Sequence, residues 1–134
     1  MRRVGTTPTG TPFVRTAFGD EEAWRALWTA VSTPNEDGFL ASVHVVDDIA
    51  HRDRSPEQVA ALLPGHSLVV VADEAAVSSP EHPLLVLHRE GGEWDSVRVV
   101  AGALWSIENN IPLANMDWRD FTGAVDDDGV FRGF

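Results

Sequence analysis

The sequence lacks cysteine, lysine and tyrosine, and each of the first two absences removes a class of chemistry. Without cysteine the chain has no disulfide, no thiolate nucleophile and no cysteine-ligated metal site. Without lysine it has neither a Schiff-base amine nor the lysine of a phosphate-binding P-loop. Catalysis by this chain would therefore depend on His, Asp, Glu, Ser, Thr, Arg or backbone groups.

Positive charge is scarce, and long hydrophobic runs are missing. The 134 residues contain 21 acids against 10 basic residues, all arginine, which gives a formal net charge of −11. A field of this sign repels phosphate backbones, so nucleic acid is not an expected partner. The charge suits solubility alone, a basic protein partner or a cationic ligand. Because no apolar run has the length of a membrane span, a membrane is not an expected partner either.

Residues 1–11 carry two arginines but no apolar stretch of the kind found in a secretory signal. We expect them to form a flexible tail, followed by one domain over residues 12–134. The length is sufficient for a single hydrophobic core. The expected compartment is the cytoplasm.

Apolar patterning in the first half of the chain predicts three strands that alternate with two helices. The strands are predicted at 13–18, 41–46 and 67–72, and the third is almost continuously apolar, as in a strand covered on both faces. The helices begin after Asp20 and after Ser55, and the second start combines a serine cap with a proline at the first helical position.

The second half predicts a hairpin followed by helices. Residues 75–83 are predicted to form a loop, and two strands at 84–90 and 94–100 then flank a Gly-Gly turn. A short helix follows Gly102, and Asp117 caps a last helix that extends towards Val125. The order of these elements along the chain predicts an α/β fold with a single mixed sheet. It has a parallel β-α-β-α-β start, an antiparallel hairpin and C-terminal helices.

Carboxylates follow each of the three strands of the parallel start. Asp20 follows the first strand, Asp47 and Asp48 the second, and Asp73 and Glu74 the third. Ligands of open α/β sheets bind outside the carboxyl ends of the strands, so these acids could converge on a metal ion or form an acid/base pair. Alternatively, Asp20 is a helix cap and the others are solvated loop residues. No spacing motif supports a metal, and neither a metal nor a cofactor is predicted.

Two histidines lie near these acids in the sequence. His44 falls inside the second strand and His51 follows it, and neither has the paired spacing of a zinc site. Either could act as a general base with Asp47 or Asp48, although a lone histidine in a strand is more often structural. The candidate catalytic residues are His44, Asp47, Asp48, His51, Asp73 and Glu74.

Residues 105–118 gather amides, acids and tryptophans where an ordinary helix carries Glu, Lys and Ala. In a structural interpretation, the amides and an aspartate tie down a helix–loop–helix junction and the tryptophans anchor it. In a functional interpretation, a polar patch beside an aromatic floor binds a small polar ligand or a partner protein. The candidate ligand-binding residues are Trp105, Glu108, Asn109, Asn115 and Asp117.

Seven short motifs spread over nearly the whole chain after the tail carry a family resemblance. They are Arg15-Thr16, Val46-Asp47-Asp48, Val71-Ala72-Asp73-Glu74, Glu81-His82-Pro83-Leu84-Leu85, Trp105-Ser106-Ile107-Glu108-Asn109-Asn110, Ala114-Asn115-Met116-Asp117 and Asp128-Gly129-Val130-Phe131-Arg132-Gly133-Phe134. Their combination resembles an uncharacterised bacterial domain family of unknown function. The resemblance implies one complete intracellular bacterial domain, and it transfers no catalytic roles.

Two functions are compatible with these observations. The first is a small acidic binding module, for which the candidate partners are a basic protein, a small molecule or a second copy of the chain in a homodimer. The second is a cofactor-free acid/base enzyme of the lyase or cyclase type that acts on a small bacterial metabolite. An enzyme needs a cavity into which at least two ionisable groups point, whereas a binding module needs only an accessible surface.

Overall fold

Runs of valine, leucine and phenylalanine form the strands of one six-stranded sheet in the computed structural model, which describes residues 10–134. The order across the sheet is β2-β1-β3-β4-β5-β6. The strands are β1 (Thr11–Arg15), β2 (Val43–Val46), β3 (Leu68–Ala72), β4 (Pro83–Glu90), β5 (Glu93–Val100) and β6 (Val130–Phe131).

The predicted combination of a parallel start and an antiparallel hairpin is confirmed. Strand β1 pairs in parallel with both β2 and β3, and the register places Phe13 between Val45 and Val70. Strand β4 is antiparallel to β3 and to β5, and β6 adds a short parallel pair beside β5. All five residues of β3 are buried, as expected for a strand covered on both faces.

Local capping signals begin four of the five described helices, and the helix Leu104–Asn110 begins without a side-chain cap. The Asp20 side chain accepts a hydrogen bond from the Ala23 N–H, and Ser55 forms a reciprocal capping box with Gln58, so both predicted helix starts are confirmed. Asp117 likewise caps the last helix through a capping box with Asp120. The helices are α1 (Glu21–Ser32), α2 (Pro56–Ala61), α3 (Glu74–Ser78), α4 (Leu104–Asn110) and α5 (Trp118–Thr122).

The predicted loop over residues 75–83 is wrong in its first part, where α3 forms instead. Asp73 starts this helix, because its side chain accepts a hydrogen bond from the Ala76 N–H at 3.2 Å. Burial of Ala76 and Val77 against the sheet then stabilises a helix too short to show a clear period in the sequence.

Several boundaries also differ from the prediction. The first strand ends at Arg15 rather than at Phe18, and the last helix ends at Thr122, before Val125. Thr11, which the prediction assigned to the tail, is the first residue of β1. Residues 1–9 of the predicted tail lie outside the described residues.

The two faces of the sheet are covered unequally. Helices α1, α3, α4 and α5 pack on the first face with Phe13, Val70 and Phe131. On the second face, α2 is the single described helix that contributes buried residues, and it covers Val14, Val69 and Val71. Among residues 10–134, no helix combines the length and the apolar character needed to cross a bilayer.

Candidate functional site

The acids that follow β1 and β2 are engaged in separate local contacts. Asp47 accepts a hydrogen bond from the Arg15 guanidinium at 3.2 Å. Asp48 accepts from the Ala50 N–H at 2.9 Å and caps the short 3-10 turn at Ile49–His51. Asp20 caps α1, as its structural interpretation requires.

The acids that follow β3 point in different directions. Asp73 receives two hydrogen bonds from the Arg98 guanidinium, each 2.8 Å long, in addition to capping α3. Glu74 is exposed in the first turn of α3. Across residues 10–134, no group of three or more His, Asp and Glu side chains is arranged to hold a metal ion.

The two candidate histidines do not contact the nearby acids. His44 lies on edge strand β2, opposite Pro12, and His51 ends the 3-10 turn. Within the described part of the chain, no hydrogen bond or ion pair joins either imidazole to Asp47 or Asp48. Neither histidine therefore forms a hydrogen-bonded pair with Asp47 or Asp48.

Arg15 is the best-enclosed charged side chain in this region, and no sequence pattern singled it out. It is 2% exposed and ion-pairs with Glu21 as well as Asp47. Its guanidinium carbon lies 4.2 Å from the ring centroid of Phe18 and 4.7 Å from that of Trp24, so it also makes cation–π contacts. An arginine at the end of an apolar strand, followed by an aromatic and an acid, is the signal that could have found it.

The junction formed by residues 105–118 is held by hydrogen bonds within itself and to the loop before β2. Trp105 stacks on Phe39 with their centroids 5.1 Å apart. The Asn109 side-chain amide donates to the carbonyls of Trp105 and Leu40 at 2.6 and 3.1 Å. Asn115 is exposed, and Asp117 caps α5. Four of the five candidate ligand-binding residues thus line the outside of this junction.

Glu108, the fifth, points inward and is 8% exposed. Its carboxylate accepts hydrogen bonds from the Ser42 N–H at 2.6 Å and the Thr11 hydroxyl at 3.2 Å. Burial raises the pKa of the Glu108 carboxyl above its ordinary value, and the two hydrogen bonds offset part of that increase. Glu108 therefore connects α4 to the amino ends of β1 and β2.

A groove opens on the second face of the sheet, between α2 and the β4–β5 hairpin. Its volume is about 370 Å³, which falls in the range of ligand-binding cavities. The floor is apolar, and two of the lining residues are acidic. The groove is lined by Pro56, Glu57, Ala60, Ala61, Leu85, Leu87, Trp94, Asp95 and Ser96.

Neighbouring side chains fix Trp94 at this groove, whereas the side chain of Asp95, the next residue of β5, points to the first face of the sheet. The Arg89 guanidinium carbon lies 5.1 Å from the Trp94 ring centroid, and the same guanidinium donates to the Pro64 carbonyl. The Trp118 indole N–H donates to Asp95 at 2.8 Å. His88 stacks on Trp118 with a centroid distance of 4.8 Å, and burial lowers the pKa of this histidine. The groove thus has a preformed aromatic end.

A family model described as a domain of unknown function, DUF6924, matches residues 10–134. The chain belongs to the DUF6924 family. No curated protein matches the chain. The match confirms the resemblance to a domain family of unknown function and covers the whole sheet with its helices.

The polar candidates and the groove differ in accessibility within this DUF6924 domain. Glu108, Asp73 and Asp47 are already bound to other groups of the chain, whereas the apolar floor beside α2 remains open. Trp94 and α2 were not identified as site elements from the sequence. A signal was present, because Trp94 and Ser96 alternate with the inward-facing Val97 and Val99 of β5 and so belong to the opposite face.

Proposed function

We propose that this DUF6924 domain is a binding module that holds a basic amphipathic segment of a partner protein in the groove between α2 and the β4–β5 hairpin. The observation that carries the proposal is the open apolar floor on a sheet face that one helix of six residues covers. An exposed apolar surface with a polar rim is typical of a protein interaction site.

The shape of the groove suits an apolar anchor residue. Leu85 and Leu87 form its floor, and the small side chains of Ala60 and Ala61 leave depth beside the helix. A volume of about 370 Å³ accommodates a few side chains of a docked segment. Binding energy in such interfaces is concentrated in a few buried anchors.

The charge of the groove suits basic residues beside that anchor. Glu57 lines it, and the whole chain carries a net charge of −11. The contact of Arg89 with Trp94 demonstrates that this indole already accepts a guanidinium at one side of its ring. Complementary charges of this kind raise the association rate and select among partners.

The acid/base alternative receives less support from the same geometry. An enzyme of that type needs at least two suitable ionisable groups in one cavity. None of the six candidate catalytic residues is among the described residues that line this groove. Its two ionisable lining residues are both acids, and the carboxylate of Asp95 bonds Trp118 on the other face of the sheet, so no second group completes a pair with Glu57.

The test uses two short synthetic peptides with the same leucine positions, one with arginine and the other with glutamate at the remaining positions. Each is titrated into the isotope-labelled chain, and the Trp94 indole and the α2 backbone amides are followed by NMR. We expect the arginine peptide to shift these signals and the glutamate peptide to bind at least about tenfold more weakly.

Two pairs of variants complete the test. Ala61→Trp fills the groove and is expected to abolish binding, whereas Ala26→Trp places the same bulk on an exposed position of α1. Glu57→Lys is expected to weaken binding by about tenfold, and Glu22→Lys makes the same change in the first turn of α1. Equal effects within each pair, or equal binding of both peptides, would refute the proposal.

A further inference from the structure

A second cavity lies on the other side of α2, and it differs from the groove in shape and chemistry. Its volume is about 310 Å³, and aliphatic side chains provide nearly all of its wall. The single polar side chain in the wall is that of His51. The cavity is lined by Val14, Val46, His51, Val59, Leu62 and Leu63.

Two buried side-chain nitrogens in the turn that carries His51 have no hydrogen-bond partner. They are Nδ1 of His51 and Nε of Arg54, the only such atoms among residues 10–134. The backbone N–H of Arg54 donates to the His51 carbonyl at 3.1 Å, so one turn of chain carries both. An unsatisfied buried polar group costs free energy, and each such group calls for an explanation such as a ligand.

Arg54 also lacks an anionic partner inside the protein. Arg15 pairs with Glu21 and Asp47, Arg98 pairs with Asp73, and Arg132 pairs with Glu81 and two aspartates. For Arg54, no carboxylate oxygen of the described residues lies within the 4.0 Å of an ion pair. The chain contains 21 acids, yet the half-buried guanidinium of Arg54 pairs with none of the described carboxylates and is therefore open to an external anion.

The turn that carries His51 and Arg54 is held at the carboxyl ends of the parallel strands by backbone hydrogen bonds. The Asp53 N–H donates to the Thr16 carbonyl at 2.9 Å, and the Thr16 N–H donates to the Ala72 carbonyl at 3.0 Å. Residues 52–54 therefore sit next to the ends of β1 and β3. Ligands of open α/β sheets bind on this side.

We propose that this cavity binds a small organic acid with an apolar body. The aliphatic walls hold the body, while the carboxylate accepts hydrogen bonds from His51 and Arg54. A volume of about 310 Å³ lies at the lower limit for ligand pockets and suits an acid with an aliphatic chain of about six to eight carbons. This site is separate from the peptide groove, and α2 lies between the two.

Octanoate and octylamine are the probes, because they share an apolar chain and differ in the sign of the head group. Each is titrated into the isotope-labelled chain, and the His51 ring signals and the methyl groups of Val59 and Leu62 are followed by NMR. We expect saturable shifts with octanoate and at least about tenfold weaker binding of octylamine. Equal affinity for both probes, or no saturable shift with octanoate, overturns the proposal.

Adjacent arginines provide the matched variants. Arg54→Met is expected to weaken octanoate binding by about tenfold, and Arg52→Met, at a side chain that is 60% exposed, to leave it within about twofold. Equal losses in both variants contradict the proposed role of Arg54.

Leu62→Trp fills the cavity from its half-exposed rim and is expected to remove octanoate binding even if Arg54→Met does not fold. Retention of octanoate binding in folded Leu62→Trp would place the ligand elsewhere. Binding of the arginine peptide to the groove is measured in the same variant, so that loss of octanoate binding and loss of peptide binding can be distinguished.

Discussion

At the scale of single residues, Glu108 combines a buried carboxylate with two donors from distant parts of the chain. Ser42 and Thr11 hold this carboxylate from the amino ends of β2 and β1. The pKa of Glu108 is raised chiefly by burial, which means that the folded chain binds this proton more tightly than the unfolded chain does. Protonation of Glu108 therefore stabilises the fold relative to its ionised form.

The pH dependence of Glu108→Gln tests this sign. The stabilisation from the Glu108 proton is fully present below the ordinary pKa of 4.5 and is lost as the pH rises through the higher pKa of the folded state. Urea unfolding of both proteins across this range should show that the wild-type free energy of unfolding falls relative to that of Glu108→Gln as the pH rises. A constant difference, or one of opposite sign, would contradict a raised pKa.

Arg15 makes a second prediction at this scale. Its planar guanidinium contacts two aromatic rings and pairs with Glu21 and Asp47, and an ammonium group cannot reproduce this geometry. We expect Arg15→Lys to lower the free energy of unfolding by about 1–3 kcal/mol. Arg25→Lys, on the exposed side of α1, serves as the control and should change it by less than about 0.5 kcal/mol.

At the scale of elements, Asp73 performs two tasks that a single substitution separates. Its side chain caps α3 and also pairs with Arg98 on β5, so it joins a helix to the hairpin. Asp73→Asn retains an oxygen for the cap but removes the charge that faces the guanidinium.

We expect Asp73→Asn to lower the free energy of unfolding in urea by about 1–2 kcal/mol. Asp20→Asn is the matched control, because Asp20 caps α1 without an arginine partner and asparagine caps about as well as aspartate. If both variants lose the same stability, the ion pair with Arg98 contributes nothing beyond the cap.

Elements could be predicted from the sequence where the interactions that form them join residues close together in the chain. The starts at Asp20, Ser55 and Asp117 depend on residues within one helical turn, and the strands depend on local apolar patterning. Helix α3 was missed because a five-residue helix depends on burial against the sheet. The ion pair between Arg15 and Asp47 and the groove beside Trp94 were missed because they join segments that are distant in the sequence.

At the scale of the whole molecule, the excess of negative charge opposes compactness. A net charge of −11 in a chain of this length produces self-repulsion, while exposed ion pairs such as those of Arg132 act in the opposite sense and are individually weak. Added salt screens both effects. The repulsion dominates, since acids outnumber basic residues by 21 to 10.

We therefore expect the melting temperature at neutral pH to rise by a few degrees, roughly 2–5 °C, as the Debye length falls from about 30 Å to about 10 Å. Differential scanning calorimetry in 0.01 M and 0.1 M sodium chloride provides the measurement. The same salt increment near the sequence pI of about 4.6 is the control, where little change is expected. A fall in the melting temperature at neutral pH would mean that the surface ion pairs outweigh the repulsion.

The position of β1 in the sheet has a consequence for synthesis on the ribosome. Both neighbours of β1 come later in the chain, since β2 begins at Val43 and β3 at Leu68. The backbone groups of β1 that pair with β3 therefore stay without their native partners until the ribosome has released residues 68–72. Because translation proceeds at roughly 5–20 residues per second, this aggregation-prone apolar segment is exposed for several seconds in every nascent chain. Early pairing of β1 with β2 would shorten the exposure of the edge of β1 that faces β2. The edge that faces β3 is covered only when β3 has been synthesised.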